Sequence, residues 1–269
     1  MTQDVQSAIP AGPEATSPPR IPAPSVAPPG IAGGAVAEPG IVDLADLVAD
    51  AARTLADEPT LQQTLDRVVE LAVTMVDGCE SAGISLVTKG QIESPAVSDA
   101  LVARGDALQY ELGEGPCLDA VHDHALVESP DVSSDSRWQR WGPQVSGELG
   151  VRSMLCVQLY TSQTAHGALN LYSSVPDRFD HDDQQLATTF AAVAAAAISA
   201  ARIEDQLQSA VQTRTLIGQA QGIVMERYSL TPARAFAVLS RVSQGANVKL
   251  VEIAREVVET RRIPGVQAE

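Results

Sequence analysis

From Ile41 onward, apolar residues recur three and four apart: Ile41, Leu44, Leu47, Val48, Ala51, Ala52 and Leu55 mark one face of a helix. Pro59 ends it, and Thr60 caps a second helix with apolar face Leu61, Leu65, Val68, Val69, Ala72 and Met75–Val76. The period then shortens. Ala82-Gly-Ile-Ser-Leu-Val predicts a strand, Lys89-Gly90 a turn, and the residues near Ile92 a second short strand. Asp99 to Gln109 reads as a helix, and Gly113-Glu-Gly-Pro-Cys as a tight turn opening a short one. A strand near Ala125–Glu128 precedes a loop and a helix carrying Trp138 and Trp141. Ser153–Tyr160 and Gly167–Ser173 predict two strands of a hairpin. Asp180 starts a long helix whose first turn is acidic, as the helix dipole favours.

This alternation predicts an α+β domain, with helices packed against an antiparallel sheet. From Ile203 the pattern holds three helices and no strand. The first continues the long helix, with Ile203, Leu207, Val211, Ile217, Ala220 and Val224 close to a 3.5-residue coiled-coil seam. In the second, Thr231 is the expected N-cap, Pro232 the first helical residue and Gly245 the C-cap. Its expected buried face is Ala235, Phe236, Leu239 and Val242. The third is expected to begin at Asn247 as cap, to turn Leu250, Ile253, Ala254 and Val257 inward, and to end at Pro264. The Ala-rich run Ala191–Ala201 offers a smooth surface to another helix; a dimer interface is the preferred role, with intramolecular packing as the alternative.

Residues 1–40 hold nine of the 17 prolines among Ala, Gly and Ser, too little apolar area to offset ordering entropy, so a flexible tail is expected. The 269 residues are 45% hydrophobic, enough for one large domain or two smaller ones. A net charge of −16 argues against nucleic acid until it is resolved along the chain. Up to Asp205 the net is −19; from Gln206 it is +3. An acidic body carries a mildly basic end.

Cys79, Cys117 and Cys156 lie far apart, which excludes a disulfide framework and a thiolate zinc site and points to a reducing compartment. No signal peptide is readable, and the uncharged run Gln184–Ala201 is too alanine-rich to favour insertion, so a cytoplasmic protein without a membrane span is expected. His122 and His124 alternate on a helix and would diverge, so no metal is assigned to them; His181 belongs to a helix start. No GxSxG, phosphate loop or HExxH occurs, and no cofactor is assigned.

Gly150-Val-Arg-Ser-Met-Leu-Cys-Val-Gln-Leu, Gly167-Ala-Leu-Asn-Leu-Tyr and Arg178-Phe-Asp-His-Asp-Asp together resemble the closing strand–strand–helix signature of GAF domains. The resemblance covers roughly residues 43–202 and implies a small-molecule sensor of unstated ligand. Arg214-Thr-Leu-Ile-Gly-Gln-Ala-Gln-Gly-Ile-Val-Met-Glu-Arg, Ala235-Phe and Ser243-Gln-Gly-Ala-Asn-Val-Lys-Leu-Val-Glu-Ile-Ala resemble an ANTAR domain. That resemblance implies binding of paired stem-loops in a nascent transcript, so that a terminator cannot form, and dimerisation through the joining helix. The expected fold is then α+β, a GAF-like antiparallel sheet with packed helices, joined by a long helix to an all-α three-helix ANTAR module. The expected boundaries are tail 1–40, sensor 41–202, output 203–263 and tail 264–269.

Candidate RNA-binding residues are Arg214, Arg227, Arg234, Arg241, Ser243, Asn247 and Lys249. Arg234 and Arg241, seven apart, share a helix face, which an ordinary solvated surface also explains. Lys249 opens the last helix, where free N–H groups favour phosphate. Ser243 and Asn247 suit loop bases or sugar hydroxyls, and capping also explains them. Phe236 is assigned to the core, with no RNA role. Gln221 stands where the ANTAR family usually has lysine, which weakens phosphate attraction and flattens the salt dependence. Cys117 and Trp138 are candidate walls of a ligand pocket; a buried, inert thiol and a ring that shields the sheet are the alternatives.

Two other readings stay open. One is a helix-turn-helix DNA-binding factor, opposed by Glu252, Glu256 and Glu259 on the last helix. The other is a thiol-dependent reductase of free methionine sulfoxide, a known GAF activity whose cysteine pattern the wide spacing here does not match. A non-enzymatic RNA-binding regulator is expected.

Overall fold

A computed structural model describes residues 44–265 apart from 89, 123–124 and 162–163. The proline-rich stretch 1–40 and His124 lie outside the described residues. The elements run α1 (Leu44–Ala56), α2 (Leu61–Met75), β1 (Ser81–Thr88), β2 (Gln91–Val97), α3 (Ala100–Leu112), α4 (Pro116–His122), β3 (Leu126–Ser129) and α5 (Trp141–Leu149). They continue with β4 (Ser153–Thr161), β5 (Thr164–Ser173), α6 (His181–Tyr228), α7 (Pro232–Ala246) and α8 (Leu250–Thr260).

The five strands form one antiparallel sheet in the order β2-β1-β5-β4-β3. Ile84 faces Leu169 across one ladder, and Leu155 faces Leu171 across the next. Because side chains alternate along a strand, these residues join Leu159 in one core with α1, α2 and α6. The intervening Met154, Cys156, Ala168 and Tyr172 point the other way, into a core with α3, α4 and α5. The sheet is therefore the middle of three layers.

Polar side chains punctuate the helices as the sequence leads one to expect. Thr60 Oγ1 accepts from Gln63 N, and Asp99 accepts from the amides of Leu101 and Val102. Asp180 accepts from Asp182 and Asp183 N, while the Asp183 carboxylate accepts from Asp180 N, a reciprocal box that starts α6. Trp141 opens α5, but Trp138 lies in the turn before it and not in the predicted helix.

The 48-residue α6 runs unbroken for about 72 Å. One side of its alanine run packs inside the domain: Ala191, Ala194, Ala195 and Ile198 are buried in the core shared with α1 and α2, while Ala192, Ala196 and Ala200 stay exposed. By length and composition α6 could cross a membrane. Further along, Ala220 and Val224 build a third core with Ala235 and Leu239 of α7 and with Ile253, Ala254 and Val257 of α8.

Four details of the C-terminal helices differ from the pattern, the first being that α8 ends at Thr260, with Arg261 in the left-handed region, rather than at Pro264. Phe236 is 44% exposed rather than buried, because the inward stripe of α7 passes through Ala235, Val238, Leu239 and Val242. Asn247, in the left-handed region at φ 53°, ends α7, so Gly245 is inside the helix and not its cap. Lys249 rather than Asn247 then takes the N-cap position of α8.

Candidate nucleic-acid interface and sensor core

Helix α7 has no carboxylate in its 15 residues and ends in a turn that leads to Lys249. Arg234 and Arg241 are exposed on it, and neither guanidinium has a hydrogen-bond or ion-pair partner among the described residues. Paired arginines would have to break a contact before meeting an anion; these do not. At the corner, Ser243 Oγ donates to Val248 O at 2.6 Å, and Val248 N donates to Ser243 O at 3.1 Å. Ser243 thus holds the turn, Asn247 supplies its left-handed residue, and Lys249 stands exposed beyond.

The other two candidate cations are carried by α6. Arg214 is exposed on the middle of α6. Arg227, near the end of α6, donates from Nη1 to the Arg261 carbonyl at 2.8 Å. With Arg261 it borders a cleft of about 700 Å³ that Gly222, Ile223 and Val258 also line. Gln221, at the position of the missing lysine, is half-buried, and its Nε2 donates to Pro232 O at 2.7 Å. It therefore ties α6 to the first residue of α7.

In the sensor half, Cys117 and Trp138 are packed, with 0% and 2% exposure. Cys117 Sγ donates to Ser85 Oγ at 3.1 Å, and its amide donates to Gln109 Oε1 at 2.9 Å. Trp138 Nε1 donates to Asp119 at 2.9 Å, its ring meets Trp141 edge-on at 6.0 Å, and the Arg137 guanidinium sits 4.3 Å above it. Burial pushes the Cys79 and Cys117 thiols up to about 12 and raises Cys156 well above the usual thiol range. Among the described residues no group of His, Cys, Asp and Glu is arranged to hold a metal, and His122 Nδ1 is bonded to Leu118 O.

The group that sequence reading missed is Asp106. It is completely buried on α3 and accepts from Ser94 Oγ at 2.7 Å, Asn170 Nδ2 at 3.1 Å, the Tyr172 hydroxyl and Gln109 Nε2. Desolvation pushes its carboxyl up to about 6, and the four donors oppose that rise. Tyr110 bridges Ser85 and Ser94 beside it, while Asn170 Oδ1 is buried without a partner among the described residues. One signal was available: Asp106 lies four residues after Val102, on the same inward stripe of α3.

Comparison with known proteins agrees with both halves. Residues 58–199 match the GAF domain family and residues 205–258 match the ANTAR domain family. No curated protein matches. Among solved structures, the GAF domain of a phosphoenolpyruvate-protein phosphotransferase from Coxiella burnetii is 15% identical, with a TM-score of 0.50 over 61% of this chain and 98% of that one. The corresponding Acinetobacter domain is 15% identical (TM-score 0.48, 61% and 97% covered). Free methionine-R-sulfoxide reductase from Neisseria meningitidis is 16% identical (TM-score 0.47, 60% and 91% covered). At such identities the likeness is one of fold. With more than half its length matched to one family and its C-terminal helices to another, the chain belongs to the GAF-domain family and carries an ANTAR domain on the end of its last GAF helix.

Proposed function

We propose that this protein is a non-enzymatic, cytoplasmic regulator in which residues 41–202 sense a small molecule and residues 203–263 bind RNA. In this reading two copies pair along α6, their output modules grip two stem-loops of a nascent transcript, and the competing terminator hairpin does not form. The observation that carries the reading is the continuity of α6. Phe190 and Ala194 of this helix are built into the sensor core, and Ala220 and Val224 into the output core. A shift in the sensor core has one rigid element by which to reach the RNA-binding face.

Between those cores, residues 203–212 are exposed, including Ile203, Leu207 and Val211 at 56%, 62% and 63%. A second copy of α6 would cover them. The acidic body repels phosphate and confines RNA to the basic end, so two modest sites acting together supply the affinity.

The buried, high-pKa thiols speak against the reductase reading, since the thiolate is the reactive species. The acidic exposed residues Glu252, Glu256 and Glu259 of α8 speak against a DNA recognition helix. The test is binding of the full-length protein to a two-stem-loop RNA and to the same RNA with its loop bases replaced. Loss of binding with the second RNA is expected; equal binding at physiological salt would overturn loop recognition.

A further inference from the structure

Phe236 breaks the pattern of the rest of the chain. The other two phenylalanines, Phe179 and Phe190, are buried at 3% and 0% exposure, whereas Phe236 is 44% exposed. Its helix is the one helix among the described residues without an acidic side chain, in a chain of net charge −16. At about 100° per residue, the outer surface of α7 resolves into two rows roughly 140° apart. Arg234 and Arg241 form one row; Phe236 and Ser240 form the other, which leads to the corner of Asn247 and Lys249. Ala233 and Ala237, both exposed and small, leave a low floor between the rows.

We propose that Phe236 is the base-stacking platform of this face. An unpaired base of a hairpin loop lies on its ring, and the flanking phosphates cross the alanine floor to the free guanidiniums of Arg234 and Arg241. The inference rests on the RNA-binding reading and adds to it the residue that reads single-strandedness. A duplex hides the faces of its bases, whereas a loop presents them, and an exposed aromatic ring can take any base. The arginines alone would hold a duplex as well as a loop. Charge selects the occupant: an acid-free face with two unpartnered arginines suits a polyanion. The exposed apolar stripe suited to a second copy of the chain lies elsewhere, at Ile203, Leu207 and Val211 of α6.

The experiment uses full-length protein and a pool of paired RNA hairpins with randomised loops, with a fully duplex RNA as comparison, titrated over a salt series. Phe236→Ala is expected to weaken hairpin binding roughly five- to hundredfold, to leave duplex binding and the salt slope unchanged, and to leave the sedimentation coefficient unchanged. Phe236→Trp retains the affinity. Arg234→Ala and Arg241→Ala instead reduce the salt slope by about 0.7–0.9 each. Hairpin binding by Phe236→Ala equal to the native protein overturns the proposal. So does a change in its oligomeric state, which would make the ring part of a protein interface. If the native protein itself shows no preference for hairpins over duplex, the RNA reading beneath the proposal falls with it.

Discussion

Asn170 of β5 donates to the carboxylate of Asp106 on α3 at 3.1 Å, joining two residues 64 positions apart. The bond forms part of a buried cluster in which desolvation raises the Asp106 carboxyl to about 6. Between the ordinary carboxylate range and pH 6, the folded chain holds a proton that the unfolded chain has released. Stability therefore falls as pH rises through that window, by about 3 kcal/mol at most, and levels off above it. Asp106→Asn replaces an acceptor with a donor and lowers stability at every pH, yet it removes this slope. Urea midpoints of both proteins from pH 4 to 7 check it; parallel curves would refute the assignment.

The three thiols are predicted to be silent in the native state. Cys79, Cys117 and Cys156 are buried, and at pH 8 almost none of the first two, at about 12, is thiolate. A chromogenic disulfide reagent should react over the slow timescale of opening, and with all three at once in denaturant. A rapid native burst of one equivalent would contradict this.

Leu207, 62% exposed on the free stretch of α6, is the place to test pairing of two chains. A partner helix covering Ile203, Leu207 and Val211 gains about 1.5–3 kcal/mol per side chain. Leu207→Glu is expected to weaken the proposed dimer by roughly a hundredfold or more, while leaving the thermal melt of the monomer unchanged. Sedimentation equilibrium reads the first effect and circular dichroism the second. Unchanged association would remove this segment from the interface.

Gln221 offers a gain-of-function test. Its bond to Pro232 O needs one donor, which a lysine ammonium also supplies. Gln221→Lys should fold normally, bind RNA more tightly at low salt and steepen the salt slope by about 0.7–0.9. An unchanged slope would place the residue away from the phosphates.

The order of all thirteen elements was legible because each is locally punctuated: Thr60, Asp99 and Asp180 cap helices within three residues of themselves. What stayed hidden depends on distance or on phase. Asp106 finds Ser94, Asn170 and Tyr172 at separations of 12, 64 and 66 residues, so in the sequence it passes for a solvated carboxylate. Phenylalanine is usually buried, which points Phe236 inward in the sequence; its position on α7, next to Ala235 but off the Ala235–Leu239 stripe, puts it outside. The corner shifted by two residues because Asn247, a common cap at either end of a helix, here closes α7 in the left-handed region rather than opening α8. The alanine run was ambiguous in principle, since a close-packed helix inside the chain and one between chains use the same small residues.

The exposed stretch of α6 from 203 to 212 gives the molecule a defined phase. Among the described residues α6 is the element shared by the sensor core and the output core, so each added residue there turns the output helices by about 100° and carries them about 1.5 Å along the axis. Seven added residues return to within about 20° of the starting orientation. The rotational setting between sensor and output is thus written as a number of residues. A chain lengthened by one there would keep both cores intact while aiming Arg234, Phe236 and Arg241 in a different direction.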